Sequence, residues 1–378
     1  MVRAYLDHAS SSPLRPVALE AMLPFLRDHP GDPGRLHAEG HAVRVAIEHA
    51  REEVASLFGA RPREVVFTSS GTEAINAAIW GARARATNEH VVTTAVEHSA
   101  VLESARRGGA VTGSVTEVGV DRAGRFDPDN VIAAIRDDTA LVSVQLANHE
   151  VGTLQPASDV VAAAHARGVT THVDACAAAG FVDVDFGALG ADLCSVTAHK
   201  FGGPKGVGAL LVRRGLRFPP FVVGGAQERA RRAGIENVPA IIGFGAAARE
   251  LGDGGVEREA ARARRLRDHL VDWATSHVSG VERLGDPVQC LPHLACLAID
   301  GVEAEPVLLA LDQHGVAVHS GSSCSSEALE PSPVLAAMGV DAERSLRVSV
   351  GWCSTDADVD AFVGAFPGVI EQLRRLRT

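Results

Sequence analysis

Strand-like and helix-like segments alternate along the first two thirds of this chain. Short apolar runs rich in β-branched residues predict strands over residues 65–68, 90–94, 140–146, 169–173, 193–197 and 208–212. Helical patterns between or beyond them cover residues 43–58, 73–86, 157–166 and 240–251. Strands that alternate with helices indicate an α/β protein with a mostly parallel sheet covered on both faces.

The rest of the chain indicates a second, smaller α+β domain. A charged helical stretch over residues 257–273 leads to strand candidates at 294–299, 316–319 and 346–350, and to helix candidates at 306–314 and 356–376. A chain of 378 residues is long enough for two domains with sizeable cores. We therefore predict a large domain over residues 14–253 and a small domain made of residues 254–378 together with 1–13.

Residues with reactive or charged side chains follow several of the predicted strands. They are Ser69-Ser70-Gly71-Thr72, His98, Asn148-His149-Glu150, Asp174 and His199-Lys200. In a mostly parallel sheet, ligands bind outside the carboxyl ends of the strands. We therefore expect these residues to meet in one large active site.

Lys200 is the most reactive of these candidates. The run from Ser195 to Gly206 places it between the end of an apolar strand and a glycine-rich turn. A partly desolvated lysine amine is nucleophilic and forms Schiff bases. The turn lacks the spacing and the Lys-Ser/Thr ending of a nucleotide-binding P-loop, which excludes that interpretation. Further along, Cys324 lies in a polar run of serines, and this pairing suggests chemistry on a sulfur-bearing amino acid.

Each of the other candidates has a structural interpretation beside the functional one. The N–H groups of a helix that starts near Gly71 and Thr72 would hold a phosphate, although Ser and Thr there also act as plain helix caps. Asp174 would pair with a pyridinium nitrogen or cap the following helix. His98 would stack on a planar cofactor or pack as an ordinary histidine. Arg347 would bind a substrate carboxylate or form an internal salt bridge.

Charge and cysteine usage exclude several classes of protein. The formal net charge of −11 gives nucleic-acid binding no electrostatic support. The sequence has no apolar stretch long enough to predict a membrane span, and its N-terminus lacks the pattern of a signal peptide. The six cysteines are scattered without a CxxC pair, which indicates a reducing cytoplasm and argues against a disulfide framework or a metal site.

Taken in order, these segments resemble the pyridoxal-phosphate-dependent cysteine desulfurases of the NifS/IscS class, among the class-V aminotransferases, over nearly the whole chain. The matching stretches are Tyr5 to Ala9, Phe67 to Glu73, Glu97-His98, His172 to Asp174, His199 to Gly206, Gly224 to Asn237, Ser320 to Ser326 with Leu329 to Ser332, and Leu346 to Gly351. The resemblance implies a homodimer with the fold-type-I transferase fold. It also implies conversion of L-cysteine to L-alanine, with the sulfur passed to an acceptor protein.

The resemblance further implies a role for each candidate residue. Lys200 would hold pyridoxal 5′-phosphate through a Schiff base, and Cys324 would be the nucleophile that becomes a persulfide. Asp174 would pair with the pyridine nitrogen, and His98 would stack on the ring and count with Lys200 and Cys324 as catalytic. The remaining matches are Gly71, Thr72, Thr197 and His199 for the phosphate and Arg347 for the substrate carboxylate. The family pattern implies no metal.

Three positions depart from that pattern, and all are expected around the cofactor. His149 stands where the family usually has the second asparagine of Asn-Asn-Glu, and Ala177 stands where it has glutamine. Both usual residues reach the ring hydroxyl. Ile235 replaces a threonine that contacts the phosphate across the dimer. We expect His149 to take over both ring-hydroxyl contacts, which makes it a cofactor-binding and substrate-binding residue.

Two alternatives stand beside a cysteine desulfurase. One is a related C–S lyase for another sulfur or selenium amino acid, which needs no persulfide on Cys324. The other is a cofactor-fold protein that has lost turnover and serves as a binding partner. The sequence ends soon after Arg377, without the longer tail that housekeeping members use to dock a cluster scaffold. We therefore expect the sulfur acceptor to belong to a specialised pathway, such as thiolation of a nucleic acid or a natural product.

Overall fold

The computed structural model describes residues 3–86, 89–109, 114–217, 219–320 and 332–376. Its strands are β1 (Ala4–Tyr5), β2 (Val65–Thr68), β3 (His90–Thr94), β4 (Val115–Val118), β5 (Thr139–Gln145), β6 (Thr170–Asp174), β7 (Leu193–Thr197), β8 (Gly208–Val212), β9 (Val281–Leu284), β10 (Leu294–Ile299), β11 (Val316–Ala317), β12 (His319–Ser320) and β13 (Ser345–Ser349).

The α-helices of these residues range from single turns to more than twenty residues. They are α1 (Pro16–Arg27), α2 (Ala38–Leu57), α3 (Gly71–Arg85), α4 (Ser99–Gly109), α5 (Pro128–Ala133), α6 (Ala157–Ala166), α7 (Phe186–Leu189), α8 (Gln227–Ala230), α9 (Val238–Glu250), α10 (Gly255–His277), α11 (Ala304–Gln313), α12 (Pro333–Ala337) and α13 (Asp356–Leu376).

The larger sheet has the strand order β2-β8-β7-β6-β5-β3-β4. Strands β7, β6, β5, β3 and β4 run parallel, whereas β8 is antiparallel to both of its neighbours, β2 and β7. Every residue of β3, β7 and β8 is buried, as in a sheet covered by helices on both faces. The predicted mostly parallel, covered sheet is therefore confirmed.

Element boundaries differ from the sequence prediction mainly at helix starts. Helix α6 agrees at both ends, but α2 begins five residues earlier than predicted, at Ala38, where His37 accepts a hydrogen bond from Gly40 N. Helix α3 begins two residues early because the Ser70 side chain accepts from Glu73 N and caps the helix. The single strand predicted over residues 316–319 is two short strands, since β11 pairs with β1 and β12 pairs with β13.

The second sheet is antiparallel, in the order β12-β13-β10-β9, and packs against the helices of the C-terminal part. Its apolar core, which includes Leu297, Leu346 and Phe362, is separate from the core under the larger sheet. Among the described residues, no helix is both long enough and apolar enough to span a membrane. The domain bounds of 14–253 and of 254–378 with 1–13 stay a prediction.

The N-terminal segment after β1 connects the two sheets. Leu6 O accepts a hydrogen bond from Ser349 N of β13 in the four-stranded sheet, and Ser12 N donates to His199 O just beyond β7. The buried Arg15 then donates to Phe201 O at 2.7 Å and pairs with Glu259 of α10. This segment therefore reaches the lysine turn at the end of the larger sheet.

Candidate active site

A cavity of about 250 Å³ opens beside the carboxyl ends of β5, β6 and β7. Nine of the ten residues predicted for the site line it, which are Gly71, Thr72, His98, His149, Asp174, Thr197, His199, Lys200 and Arg347. The tenth, Cys324, lies outside the described residues. The fold thus gathers side chains from both halves of the chain at the edge where a parallel sheet binds ligands.

Asp174 lies at the floor of this cavity, as the last residue of β6. Its Oδ1 accepts hydrogen bonds from Ser195 Oγ at 2.7 Å and from the backbone N–H of Cys176 at 3.1 Å. The second bond closes a local turn rather than capping a helix. Burial alone raises the pKa of Asp174, but its polar surroundings, including the hydrogen bonds from Ser195 and Cys176, outweigh burial and hold the pKa below its ordinary value. The cavity floor is therefore an ionised carboxylate.

The first turn of α3 forms one end of the cavity with Thr197 and His199. A Cβ on Gly71 would lie 2.6 Å from Cys176 Sγ, so glycine permits the close packing of this turn. Thr197 Oγ1 lies 2.9 Å from His199 Nδ1. Burial, followed by the nearby charge of Lys200, lowers the pKa of His199 to about 4. Free N–H groups and neutral donors at a helix N-terminus suit an anion.

Lys200 reaches the cavity from the short turn Ala198–Lys200 that follows β7. Its Nζ donates to the carbonyl oxygens of Ala9 and Ser10 in the N-terminal segment. Ser12 Oγ in turn donates to the carbonyl oxygen of Lys200 at 3.0 Å. Both the backbone and the amine of the lysine are therefore held by the segment that connects the two sheets.

Two histidine rings contact each other in the wall of the cavity. The rings of His98 and His149 meet edge to face, with centroids 5.1 Å apart. His98 Nδ1 accepts a hydrogen bond from Ala100 N, so the ring carries its proton on Nε2. His149 Nε2 lies 3.6 Å from Glu150 Oε1, and the buried Glu150 accepts from Ser332 Oγ at the start of α12. Glu150 therefore lies between His149 at the cavity and Ser332 at the start of α12.

Arg347 is almost fully buried in β13. The sequence left two roles open for it, an internal salt bridge and the binding of a substrate carboxylate, and its contacts are compatible with both. Its NH2 group donates to Asp7 Oδ1 at 3.0 Å and to Ser10 Oγ at 2.6 Å, and NH1 donates to His149 O at 3.1 Å. Its Nε has no hydrogen-bond partner among the described residues. An internal salt bridge is thus present, and one buried donor of the same guanidinium remains for a ligand.

The sequence prediction missed Gln145 and Cys176, which also line the cavity, and Glu97 behind it. Glu97 Oε1 accepts from Thr94 Oγ1 at 2.6 Å and from Gln145 N at 3.0 Å. Complete burial raises the pKa of Glu97 to about 8. Its position beside His98 was the only available signal, because its partner Gln145 is far away in the sequence.

The three departures from the family pattern lie in two places. His149 and Ala177 line the cavity, whereas Ile235 is 70% exposed and borders a neighbouring cleft with Arg232. The two cavity departures therefore change the lining next to Asp174 and His98.

Among the residues the structure covers, no group of three or more His, Cys, Asp or Glu side chains is arranged to hold a metal ion.

Comparison with known proteins gives consistent results over the whole chain. The family model described as aminotransferase class V matches residues 4–362. A cysteine desulfurase IscS of Dictyoglomus turgidum is 41% identical over 377 residues, which are 98% of this chain and 95% of the relative. A cysteine desulfurase of Cereibacter sphaeroides is also 41% identical, over 100% of this chain and 98% of its own length.

Solved structures agree with these relatives. A NifS-like protein superposes with a TM-score of 0.91 at 31% identity and covers 98% of this chain and 100% of its own. A structure described as SspA in complex with cysteine superposes with a TM-score of 0.82 at 28% identity, over 92% of this chain and 98% of that one. The fold and the order of its elements are therefore shared with these proteins.

Proposed function

The chain belongs to the aminotransferase class-V family and is a cysteine desulfurase, and we propose that it converts L-cysteine to L-alanine with pyridoxal 5′-phosphate bound in the cavity described above. One observation supports this site most strongly. Lys200, Asp174 and Arg347 come from separate parts of the fold and all line the same cavity. A nucleophilic amine, a buried carboxylate and a buried guanidinium are the groups that this chemistry requires.

The residues around the cavity fit this cofactor. Gly71 and Thr72 in the first turn of α3 would hold the phosphate, together with Thr197 and His199, at the end of the cavity that suits an anion. The absence of a Cβ at Gly71 keeps that turn closely packed. A phosphate beside His199 would favour its protonated form, against the burial that keeps it neutral in its absence.

The ring of the cofactor would lie against His98, with Asp174 on its nitrogen and Lys200 as the attachment point. The ionised state of Asp174 supports this assignment, because a carboxylate favours a protonated ring nitrogen. When bound, the cofactor supplies an electron-withdrawing ring that makes the α-proton of the substrate easier to remove. His149, whose ring contacts that of His98, would reach the ring hydroxyl and the substrate from beside it.

The chain's own residues would bind and orient L-cysteine around that ring. Arg347 would take the substrate carboxylate, since its Nε is the donor without a partner among the described residues. Lys200 Nζ would hold the proton removed from the α-carbon, because its carbonyl partners Ala9 and Ser10 keep the amine at the cavity. His98, which also borders the cavity, would act beside Lys200 as the second catalytic group and take part in proton transfer.

The sulfur step is assigned to Cys324. Its thiolate attacks the sulfur of the substrate, and a new S–S bond forms as the C–S bond breaks. The electron pair of the C–S bond stays with carbon, which takes up a proton and leaves as L-alanine. One L-cysteine and one thiol thus give one L-alanine and one persulfide without an external oxidant. A sulfur-acceptor protein would then take the terminal sulfur from Cys324.

An exposed apolar helix face and the state of the cysteines support a homodimer in a reducing cytoplasm. Helix α1 exposes Leu19, Leu23 and Leu26 at the spacing of one helix face, which supports a second copy of the chain as the partner of a homodimer. All the described cysteines are unbonded, which supports a reducing cytoplasm. We expect no direct contact with nucleic acid, because the net charge of the whole sequence is −11.

The Cys324→Ser variant tests the function directly. With L-cysteine, the wild-type protein is expected to form alanine and a persulfide in equal amounts, and Cys324→Ser is expected to lose both at least 100-fold while keeping its yellow colour. Cys353→Ser, which removes an exposed cysteine, is the matched control and should behave as wild type. Alanine formation that survives in Cys324→Ser would favour the C–S lyase. A yellow wild-type protein that forms neither product would favour the alternative in which the chain has lost turnover and serves as a binding partner.

A further inference from the structure

A line of hydrogen-bonding side chains runs behind Asp174 across three neighbouring strands. Ser143 of β5 lies directly opposite His172 of β6, and Asp174 of β6 lies directly opposite Ser195 of β7. His172 and Asp174 are two residues apart, so their side chains leave the same face of the strand. Ser143, His172 and Ser195 are all completely buried. Strand register alone therefore brings the four side chains together.

The direction of each hydrogen bond follows from the donor and acceptor capacity of the groups. Asp174 is ionised and only accepts, so the single proton of Ser195 Oγ points to its Oδ1 at 2.7 Å. Ser195 Oγ lies 3.2 Å from His172 Nε2 and can only accept there, which puts the ring proton on Nε2. Burial lowers the pKa of His172 to about 4, so its ring is neutral. Its Nδ1 must then accept from Ser143 Oγ at 2.8 Å.

All three donors in this line consequently point the same way. Ser143 donates to His172, His172 donates to Ser195, and Ser195 donates to Asp174. Hydrogen bonds aligned in series polarise one another, which strengthens the last bond of the line. The line carries no charge of its own, so it stabilises the carboxylate without a competing ion pair beside the cavity.

We propose that Ser195, His172 and Ser143 are positioning residues that fix Asp174 as a carboxylate aimed into the cavity, and so determine how tightly the cofactor ring is held and how well it withdraws electrons. This inference rests on the proposed function for its link to catalysis. None of the three residues lines the cavity, so they act only through Asp174.

The first test measures the direction of the line in the protein without cofactor. Selective labelling of the histidine rings with ¹⁵N gives the protonated nitrogen of His172 by NMR, and assignment uses a His172→Gln variant. We expect the proton on Nε2 at pH 7. A proton on Nδ1 would reverse the line and overturn the proposal, whatever the activity of the enzyme. This readout does not depend on whether the chain is an active desulfurase.

The second test removes the last donor. In Ser195→Ala, we expect the dissociation constant of pyridoxal 5′-phosphate to rise at least tenfold and kcat for alanine formation to fall 10- to 100-fold, with KM for L-cysteine within twofold. Ser195→Thr keeps a hydroxyl and should restore most of both. Thr93→Val is the matched control, because Thr93 is a buried hydroxyl of the same sheet without a hydrogen-bond partner among the described residues.

The outcomes separate this inference from the proposed function. Unchanged cofactor affinity and kcat in Ser195→Ala would refute the positioning role. If wild-type protein binds the cofactor but forms no alanine, the proposed function fails, while the dissociation constants of Ser195→Ala and Ser195→Thr still decide the inference. If Ser195→Ala does not fold, the tautomer of His172 and the affinity of Ser195→Thr decide it instead.

Discussion

The floor and the rim of the cavity are built in different ways. The floor is Asp174 of β6, with His172 of the same strand and Ser195 of the adjacent parallel strand β7 behind it. The rim consists of Asp7, Ser10, His149 and Arg347, which come from the N-terminal segment, the turn after β5 and a strand of the other sheet. Regular register positions the floor, whereas contacts between distant loops position the rim.

This difference indicates where the site tolerates change. A one-residue shift in β6 would turn Asp174 and His172 away together, so the floor is tied to the packing of the whole sheet. A rim residue can change without disturbing the larger sheet, because no rim residue belongs to one of its strands. His149, a departure from the family pattern, is indeed a rim residue, and only its carbonyl oxygen is used to hold Arg347. The following predictions test this contrast between floor and rim.

The largest effect is expected at the floor, in Asp174→Asn. The amide cannot stabilise a protonated ring nitrogen and also places an N–H₂ group where Ser195 or the Cys176 N–H donates. We expect kcat for alanine formation to fall at least about 100-fold, the loss typical of removing one preorganised electrostatic group. Asp159→Asn, on the exposed face of α6, is the control and should match wild type. A loss below about tenfold would mean that the floor does not tune the ring.

A smaller effect of a different kind is expected at the rim, in Arg347→Lys. A lysine keeps the charge but loses the planar fork that binds a carboxylate and three internal partners at once. We expect KM for L-cysteine to rise about 10- to 100-fold, with a smaller change in kcat. Arg344→Lys, whose partner Asp341 is at the surface, controls for the change of side chain. A fall in kcat at constant KM would place Arg347 with the floor rather than the rim.

His149→Asn should have a milder effect, because it restores the residue usual at this rim position. We expect kcat to change less than about tenfold, roughly the loss of one hydrogen bond. The cofactor's visible absorbance should titrate at a shifted pH, since the ring hydroxyl changes its partner. Measuring that titration in His149→Asn and His149→Ala separates an altered partner from a missing one. An identical titration in all three proteins would end the proposed contact between His149 and the ring.

No effect on the chemistry is expected for Glu97→Gln, which changes the pH dependence of stability instead. Folding raises the pKa of Glu97 to about 8 from an ordinary value of 4.5, so the unfolded chain releases this proton first as the pH rises. Wild-type stability should therefore fall relative to Glu97→Gln between pH 4.5 and 8, by on the order of 1 kcal/mol per pH unit at most. Denaturant unfolding of both proteins at pH 5 and pH 8 measures this difference. A constant difference across that range would contradict the buried, protonated carboxyl.

Local patterns in the sequence predict the strand ends that form the floor, and the family resemblance indicates His149 and Arg347 of the rim, but the contacts that hold the rim together could not be predicted. A short apolar run that ends before Asp174 and another that ends before Lys200 are local patterns, and the mostly parallel sheet follows from the alternation of strands with helices. By contrast, Asp7 and Arg347 are 340 residues apart and no local pattern links them. Glu97 was missed for the same reason, since its role depends on Gln145 N in a neighbouring strand. The periodicity of a sequence reports local structure and does not predict tertiary contacts of this kind.

The attachment of the cofactor tests the central claim most directly. The chain has two lysines, Lys200 at the cavity and the exposed Lys205 five residues later. The holoprotein is reduced with borohydride, which fixes the cofactor to the amine that holds it, and the modified peptide is sequenced by mass spectrometry. We predict modification of Lys200 alone, retained in Lys205→Ala and abolished in Lys200→Ala. Modification of Lys205, or none in a protein that is yellow before reduction, would contradict the account.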